Sequence, residues 1–206
     1  MKHSKLFIVM FCVLSSPQIS YAESETHDGF FLRLNLVGIG YTKATAEENN
    51  DKLEISGISN LIDIGIGGTV YENLIIHGNI FGPIIIQPSL KVYDNGILAL
   101  EGDLKGNVNS IGFGAGVTYY LMPINVFLTG IIGLATMSIN DDDGNTIGET
   151  KHGLSLLLAA GKEWFVSDEW GLGFSGSLIF QRLPDKNNDL KFMVMGLGAN
   201  FSVTYN

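Results

Sequence analysis

The densest run of oxygen donors in the chain is Asp141-Asp142-Asp143-Gly144-Asn145. Hard divalent cations bind several such oxygens, and a calcium loop sets them at fixed positions around a glycine. With Gly144 as the sixth residue of such a loop, the first falls on Ile139 and the twelfth on Thr150, and neither supplies a carboxylate. The segment therefore reads as a solvated turn, and no metal or other cofactor is expected. A second set is Arg33, Asp63, His77 and Glu163, ionisable residues embedded among apolar and small ones. Charge persists in such surroundings only when paired or wet, so these four are expected to form a polar network. The third candidate is His152 with Ser155, types that could serve as base and nucleophile. Catalysis would need them within hydrogen-bond reach, and a separation of three puts them on opposite faces of a strand. No catalytic residue is expected, and the chain reads as non-enzymatic.

The elements that must position these residues are strands. Glycine is abundant, at 26 of 206 residues, while charged residues make up 16% and hydrophobic ones 46%. Disordered chains are charge-rich and apolar-poor, and a helical bundle would lose about 1 kcal/mol at each interior glycine. At the N-terminus, Lys2 and Lys5 precede the short apolar run 6–14, and Ser20-Tyr21-Ala22 offers a small-x-Ala cleavage site. Residues 1–22 are read as a signal peptide and 23–206 as one domain. The single cysteine, Cys12, leaves with the leader, so no disulfide framework is expected. The formal charge of −9 loses two more lysines with it, which makes nucleic acid an improbable partner.

The acids gather in four groups, around 47–54, 94–105, 141–151 and 185–189, and the stretch 107–140 has no charge at all. Gly112, Gly114 and Gly116 recur within that stretch at every second position, and Met122-Pro123-Ile124-Asn125 breaks it. A period of two belongs to strands. It marks eight of them, at about 30–41, 55–70, 74–86, 108–121, 126–139, 152–165, 170–183 and 190–205. In the fourth, Ile111, Phe113, Ala115, Val117 and Tyr119 face away from Ser110, Gly112, Gly114, Gly116 and Thr118. Arg33, Asp63, His77 and Glu163 fall on the polar faces.

Short connections at 71–73, 122–125 and 167–169 alternate with longer polar ones at 43–53, 87–107, 140–151 and 184–189. An up-and-down sheet sends the two kinds to opposite ends, as in outer-membrane barrels. A soluble lipocalin-like barrel is the competing arrangement, polar outside and apolar within. Its strands would carry Lys and Glu along their water-facing sides, whereas the non-apolar faces here are mostly Gly, Ser, Thr and Asn. The Leu- and Ile-rich faces suit lipid, with Tyr119, Trp164, Trp170 and Tyr205 near the short turns as an interfacial girdle. The fold expected is therefore all-β, an eight-stranded antiparallel up-and-down transmembrane β-barrel.

Over residues 29–205 this pattern resembles the small eight-stranded outer-membrane barrels of the OmpX and OmpW kind. The ending Gly198-Ala199-Asn200-Phe201-Ser202-Val203-Thr204-Tyr205 is similar to that family's C-terminal insertion signal, with Gly198, Phe201, Val203 and Tyr205 carrying the likeness. It departs from the signal by closing on Asn206 rather than an aromatic. The resemblance implies a monomer in the bacterial outer membrane, in contact with its lipid and lipopolysaccharide and delivered by the barrel assembly machinery. It also implies a membrane-structural or surface-interaction role through the long extracellular loops. The alternative function is a narrow channel for small apolar or ionic solutes; a lipid-modifying barrel enzyme and a soluble binding barrel rank lower.

Overall fold

A strand with one face of branched aliphatics and aromatics and one of Gly, Ser and Thr can bend toward its small-residue side, and a sheet of such strands closes on it. The computed structural model describes residues 27–186 and 190–205; the expected leader, residues 1–22, lies outside them. It contains β1 (Phe30–Glu48), β2 (Asp51–Tyr71), β3 (Leu74–Ile86), β4 (Ser89–Asp94), β5 (Ile97–Asp103) and β6 (Asn107–Leu121). The chain continues through β7 (Val126–Asn140), β8 (Thr146–Glu149), β9 (Gly153–Phe165), β10 (Trp170–Pro184) and β11 (Lys191–Tyr205). Eight of these form an antiparallel ring in the order β1-β11-β10-β9-β7-β6-β3-β2, and β2 pairs with β1 to close it. The expected eight-stranded barrel is this ring.

Three strands lie beyond the expectation. Residues 43–53 were expected as a long loop; instead β1 and β2 run on as a paired ribbon to a tight turn at Asn49, whose φ is 55°. Residues 87–107 contain the hairpin β4–β5, turned by Asn95-Gly96 with φ of 49° and 79°. Two positive φ values in succession are what Asn-Gly supplies cheaply. β4 pairs with β2 from Lys52 to Ser56, so β1, β2, β4 and β5 make a raised sheet at the loop end. β8 adds a short pairing to the end of β7.

The two faces are sorted as period two requires. Ile111, Phe113, Val117, Leu128, Ile132, Leu156, Leu178, Met195 and Leu197 are exposed on the outer wall, whereas Ser110, Thr118, Ser155 and Gln181 are buried within. One strand changes phase. On β1 the even positions point outward through Leu36 and the odd ones from Val37 onward, across a register shift in the pairing to both neighbours. This β-bulge leaves the Leu36 carbonyl outside the ladder, where Asn60 Nδ2 donates to it at 2.9 Å.

The lumen is fuller than the small-residue reading of the inner faces implied. Phe31, Ile75, Tyr120 and Phe127 pack together near the short turns, and Leu61, Phe81, Ile131, Leu157 and Ile179 at mid-height. A larger group that includes Val108, Met137, Leu183, Phe192 and Val194 packs at the loop end. These large residues stand on the same faces as the glycines. Gly116 and Gly161 make room for them, since a Cβ there would lie 2.9 Å from Ile131 and 2.6 Å from Phe127.

Candidate functional site

Between the two lower apolar layers runs a belt of polar side chains. The alternation that sets Arg33 two residues above Phe31, and Thr129 midway between Phe127 and Ile131, brings each to the same level of the lumen. Arg33 is fully buried, its Nη2 lying 3.7 Å from Asp63 Oδ2 and donating to Thr129 Oγ1 at 3.0 Å. Its guanidinium also sits over the rings of Phe31 and Phe127, at 5.5 and 4.9 Å from their centroids. Asp63 accepts from Asn79 Nδ2 at 2.6 Å and from Asn35 Nδ2 at 3.3 Å. His77 bonds to the Asn79 side chain through Nδ1 and to Thr118 Oγ1 through Nε2 at 2.8 Å, and Thr118 meets Thr129 at 2.8 Å. A circuit through β1, β2, β3, β6 and β7 thus joins three of the four singled-out residues.

Glu163 belongs to a second group. Its carboxylate accepts from Tyr120 Oη at 3.0 Å and from Thr204 Oγ1 at 2.6 Å, and it makes no ion pair with Arg33 within 4.0 Å. Sequence reasoning left out Asn35, Asn79, Thr118, Tyr120, Thr129 and Thr204, although all six lie on the same inner faces as the four ions. A higher polar tier links Ser110 to Gln181 at 2.8 Å and Gln181 to Ser155 at 3.1 Å.

The turn end is closed by a residue that pattern alone gave no reason to choose. His27 is fully buried, stacked on Tyr120 with ring centroids 3.5 Å apart, and bonded through Nε2 to Asn125 Oδ1 at 2.8 Å. Its carbonyl accepts from Thr69 Oγ1 at 3.0 Å. Around this mouth Phe30, Tyr71, Tyr119, Trp164 and Trp170 are exposed on the outside.

The loop end is built from charge. Lys43 and Glu54 pair across β1 and β2 at 2.8 Å, Lys52 lies 3.5 Å from Glu54 and 3.6 Å from Glu47, and Lys91 pairs with Glu101 across the β4–β5 hairpin at 2.8 Å. The Lys43 ammonium holds the Glu54 carboxyl below the usual carboxylate range, and Glu101 raises Lys91. Lys186 does for Glu149, at the β8 end, what Lys43 does for Glu54. The acid-rich segment 141–145 is a turn in which Asp141 accepts from the backbone N–H of Asn145 at 2.8 Å. No group of three or more His, Cys, Asp or Glu among the described residues is placed to hold a metal ion. His152 is exposed while Ser155 is buried and bonded to Gln181.

A closed antiparallel ring, apolar outside and packed with side chains inside, satisfies its backbone without a free edge. That is the condition for crossing a bilayer in strands. The chain has the fold of the integral outer-membrane β-barrels. Among solved structures, the outer membrane protein OprG from Pseudomonas aeruginosa matches at TM-score 0.50 with 11% identity, covering 89% of this chain and 100% of that one. The outer membrane protein AlkL, solved by solid-state NMR in lipid bilayers, matches at TM-score 0.50 with 10% identity, covering 92% of this chain and 95% of that one. No protein-family model and no curated protein matches the chain. The likeness is one of fold.

Proposed function

We propose that the protein is a non-enzymatic, non-conducting barrel of the bacterial outer membrane that acts through the sheet raised at its loop end. The observation that carries this reading is the layered lumen. Arg33, Phe31, Phe81, Phe127 and Tyr120 are all fully buried inside it, and an eight-stranded ring has room for little besides its own side chains. With the inside taken up, the surface left for recognition is the ribbon of β1 and β2 with the hairpin β4–β5, where Ile97, Leu98 and Leu100 are exposed. In this reading the loop end faces outward, the protein is a monomer, and its immediate partners are the membrane lipid and lipopolysaccharide. Phe201, Val203 and Tyr205 stand on the outer face of β11, and with Gly198 they are read as the segment that the barrel assembly machinery recognises.

The competing reading, a narrow path for small solutes, has one feature in its favour. Arg33 Nε and Nη1, Asn35 Oδ1, Ser175 Oγ, Asn200 Oδ1 and Ser202 Oγ are buried without a hydrogen-bond partner among the described residues. All lie on β1, β10 and β11, and buried polar groups in that condition take up water or an ion. Planar-bilayer recording separates the two. The closed barrel gives no discrete conductance steps, and steps that respond to Arg33→Met would establish the path instead. Orientation is tested by epitopes inserted at Gly96 and at Asn73. Antibody on intact cells is expected to label the first and not the second, and the opposite result would invert the barrel.

A further inference from the structure

Four of the chain's 12 Lys and Arg residues gather on the outer wall at the loop end. Arg182 on β10, Lys191 on β11, Lys43 on β1 and Lys52 on β2 stand on adjacent strands of the ring, all at positions that face outward. Arg182 is level with Met193, and Met193 with Thr45. Lys43 is tied to Glu54, and Lys52 is shared between Glu47 and Glu54. Arg182 and Lys191 are exposed and form no ion pair among the described residues. Between them lies a cleft of about 430 Å³ lined by Thr45, Glu47, Lys52, Arg182, Lys191 and Met193.

Height decides what such a cleft meets. Trp170 pairs with Tyr205 at the turn-end girdle. An apolar band about 25 Å tall, crossed by strands tilted about 40° and rising about 3.4 Å per residue, takes roughly ten residues. Counted from Trp170 the band ends near Phe180, and Arg182 is the next outward-facing residue of β10. Arg182 therefore stands in the layer of the lipid headgroups, and Lys191, level with Pro184, stands two residues beyond it. A guanidinium fork matches phosphate oxygens in pairs, and an ammonium adds a mobile point charge.

We propose that Arg182 and Lys191 bind the phosphate groups of an outer-leaflet glycolipid, whose acyl chains lie down the Met193–Met195–Leu197 face of β11. This rests on the reading that the loop end faces outward. Glu47 completes the cleft with its charge engaged by Lys52, so the cleft accepts an anion at the Arg182 and Lys191 side.

The test is native mass spectrometry of the full mature chain refolded in detergent, offered diphosphorylated lipid A, the same lipid stripped of phosphate, and inorganic phosphate as competitor. The diphosphorylated lipid is expected to be retained about tenfold better than the stripped one. R182Q/K191Q is expected to abolish that preference, and Lys162→Gln at the turn end to leave it intact. Folding of each variant is checked by its heat-dependent gel mobility. Should R182Q/K191Q not fold, Arg182→Lys keeps the charge and loses the fork, and is expected to weaken retention about threefold. Equal retention of the two lipids, or an unchanged preference in the substituted protein, overturns the site. Displacement by inorganic phosphate at equal concentration overturns its assignment to a lipid. Labelling at Gly96 on intact cells reports orientation separately, so failure of the site and failure of the outward reading are told apart.

Discussion

The two ends of the barrel solve the problem of closure with different materials. At the turn end, closure is by packing: His27 stacks on Tyr120 beneath Phe31, Ile75 and Phe127, and the Arg33–Asp63 circuit is buried just beyond them. At the loop end, the ribbon of β1 and β2 and the hairpin β4–β5 are held by ion pairs at the surface, Lys43–Glu54 and Lys91–Glu101. Buried charge with one partner removed is costly, whereas exposed pairs contribute little each. The turn end should therefore carry the stability and the loop end should tolerate change, which suits an end that meets other molecules.

The strongest challenge to that contrast is Arg33→Met. It leaves Asp63 buried without its cation, and a loss of about 3–5 kcal/mol is expected, read as the urea midpoint of the protein refolded in lipid vesicles. A loss no greater than that of an exposed pair would erase the difference between the ends. Next comes the belt between them: Leu156→Arg sets a charge against the bilayer midplane and should cost about 2–4 kcal/mol. Its inward neighbour Ser155→Ala removes one acceptor from Gln181 and should cost about 1 kcal/mol. A reversed order would mean that the outer and inner walls are exchanged, as in a soluble barrel. His27→Ala should cost about 1–2 kcal/mol, with faster amide exchange at Thr69 and Tyr120 and none of that change at Val92 or Leu100.

The smallest effect is at the loop end and depends on pH. Because Lys43 holds the Glu54 carboxyl below its ordinary value, the pair's contribution is complete above that value and is lost as acid protonates Glu54 in the folded protein. Amide exchange in the β1–β2 ribbon should rise between pH 6 and pH 3, and Lys43→Met should weaken the dependence, leaving the part that Lys52 supplies. A ribbon equally protected across that range would show that the pair contributes nothing.

Where lipid lies on one side and a crowded lumen on the other, the chain spells its structure in plain alternation. Ile111 through Tyr119 and Trp170 through Phe180 were legible for that reason. The signal fades above the membrane. In Thr42-Lys43-Ala44-Thr45-Ala46 the outer face carries a charge and a hydroxyl and the inner face needs only threonine and alanine, so strand looks like loop. The β4–β5 hairpin did carry a signal, Asn95-Gly96 between runs of apolar residues, which its many charges obscured. The four buried ions could be picked out because a charge among small residues is conspicuous. Their neutral partners Asn79, Thr118 and Thr129 could not, since a side chain that accepts one hydrogen bond looks no different from one that fills space. His27 lay outside any alternating run, and its place follows from the stacking partner that the ring brings to it.

The bulge at Leu36 and Val37 acts as a frame shift written into a single strand. Below it, β1 counts in step with a lumen that needs Arg33 and Asn35; above it, the count is offset by one, and Lys43, Thr45 and Glu47 come round to the outside. Were all its residues to run on in regular alternation without the bulge, Lys43 would be carried into the apolar cluster of Ala44, Ile55 and Val194, and the outer cleft would lose its β1 wall. Deleting Val37 should therefore remove the bulge and leave both halves facing as they do, with Leu36 opposite Phe201, whereas inserting a further residue there should act like a reading-frame error in a message, leaving the first half of the strand intact and turning the whole second half inside out. The carbonyl held by Asn60 marks where the two frames join.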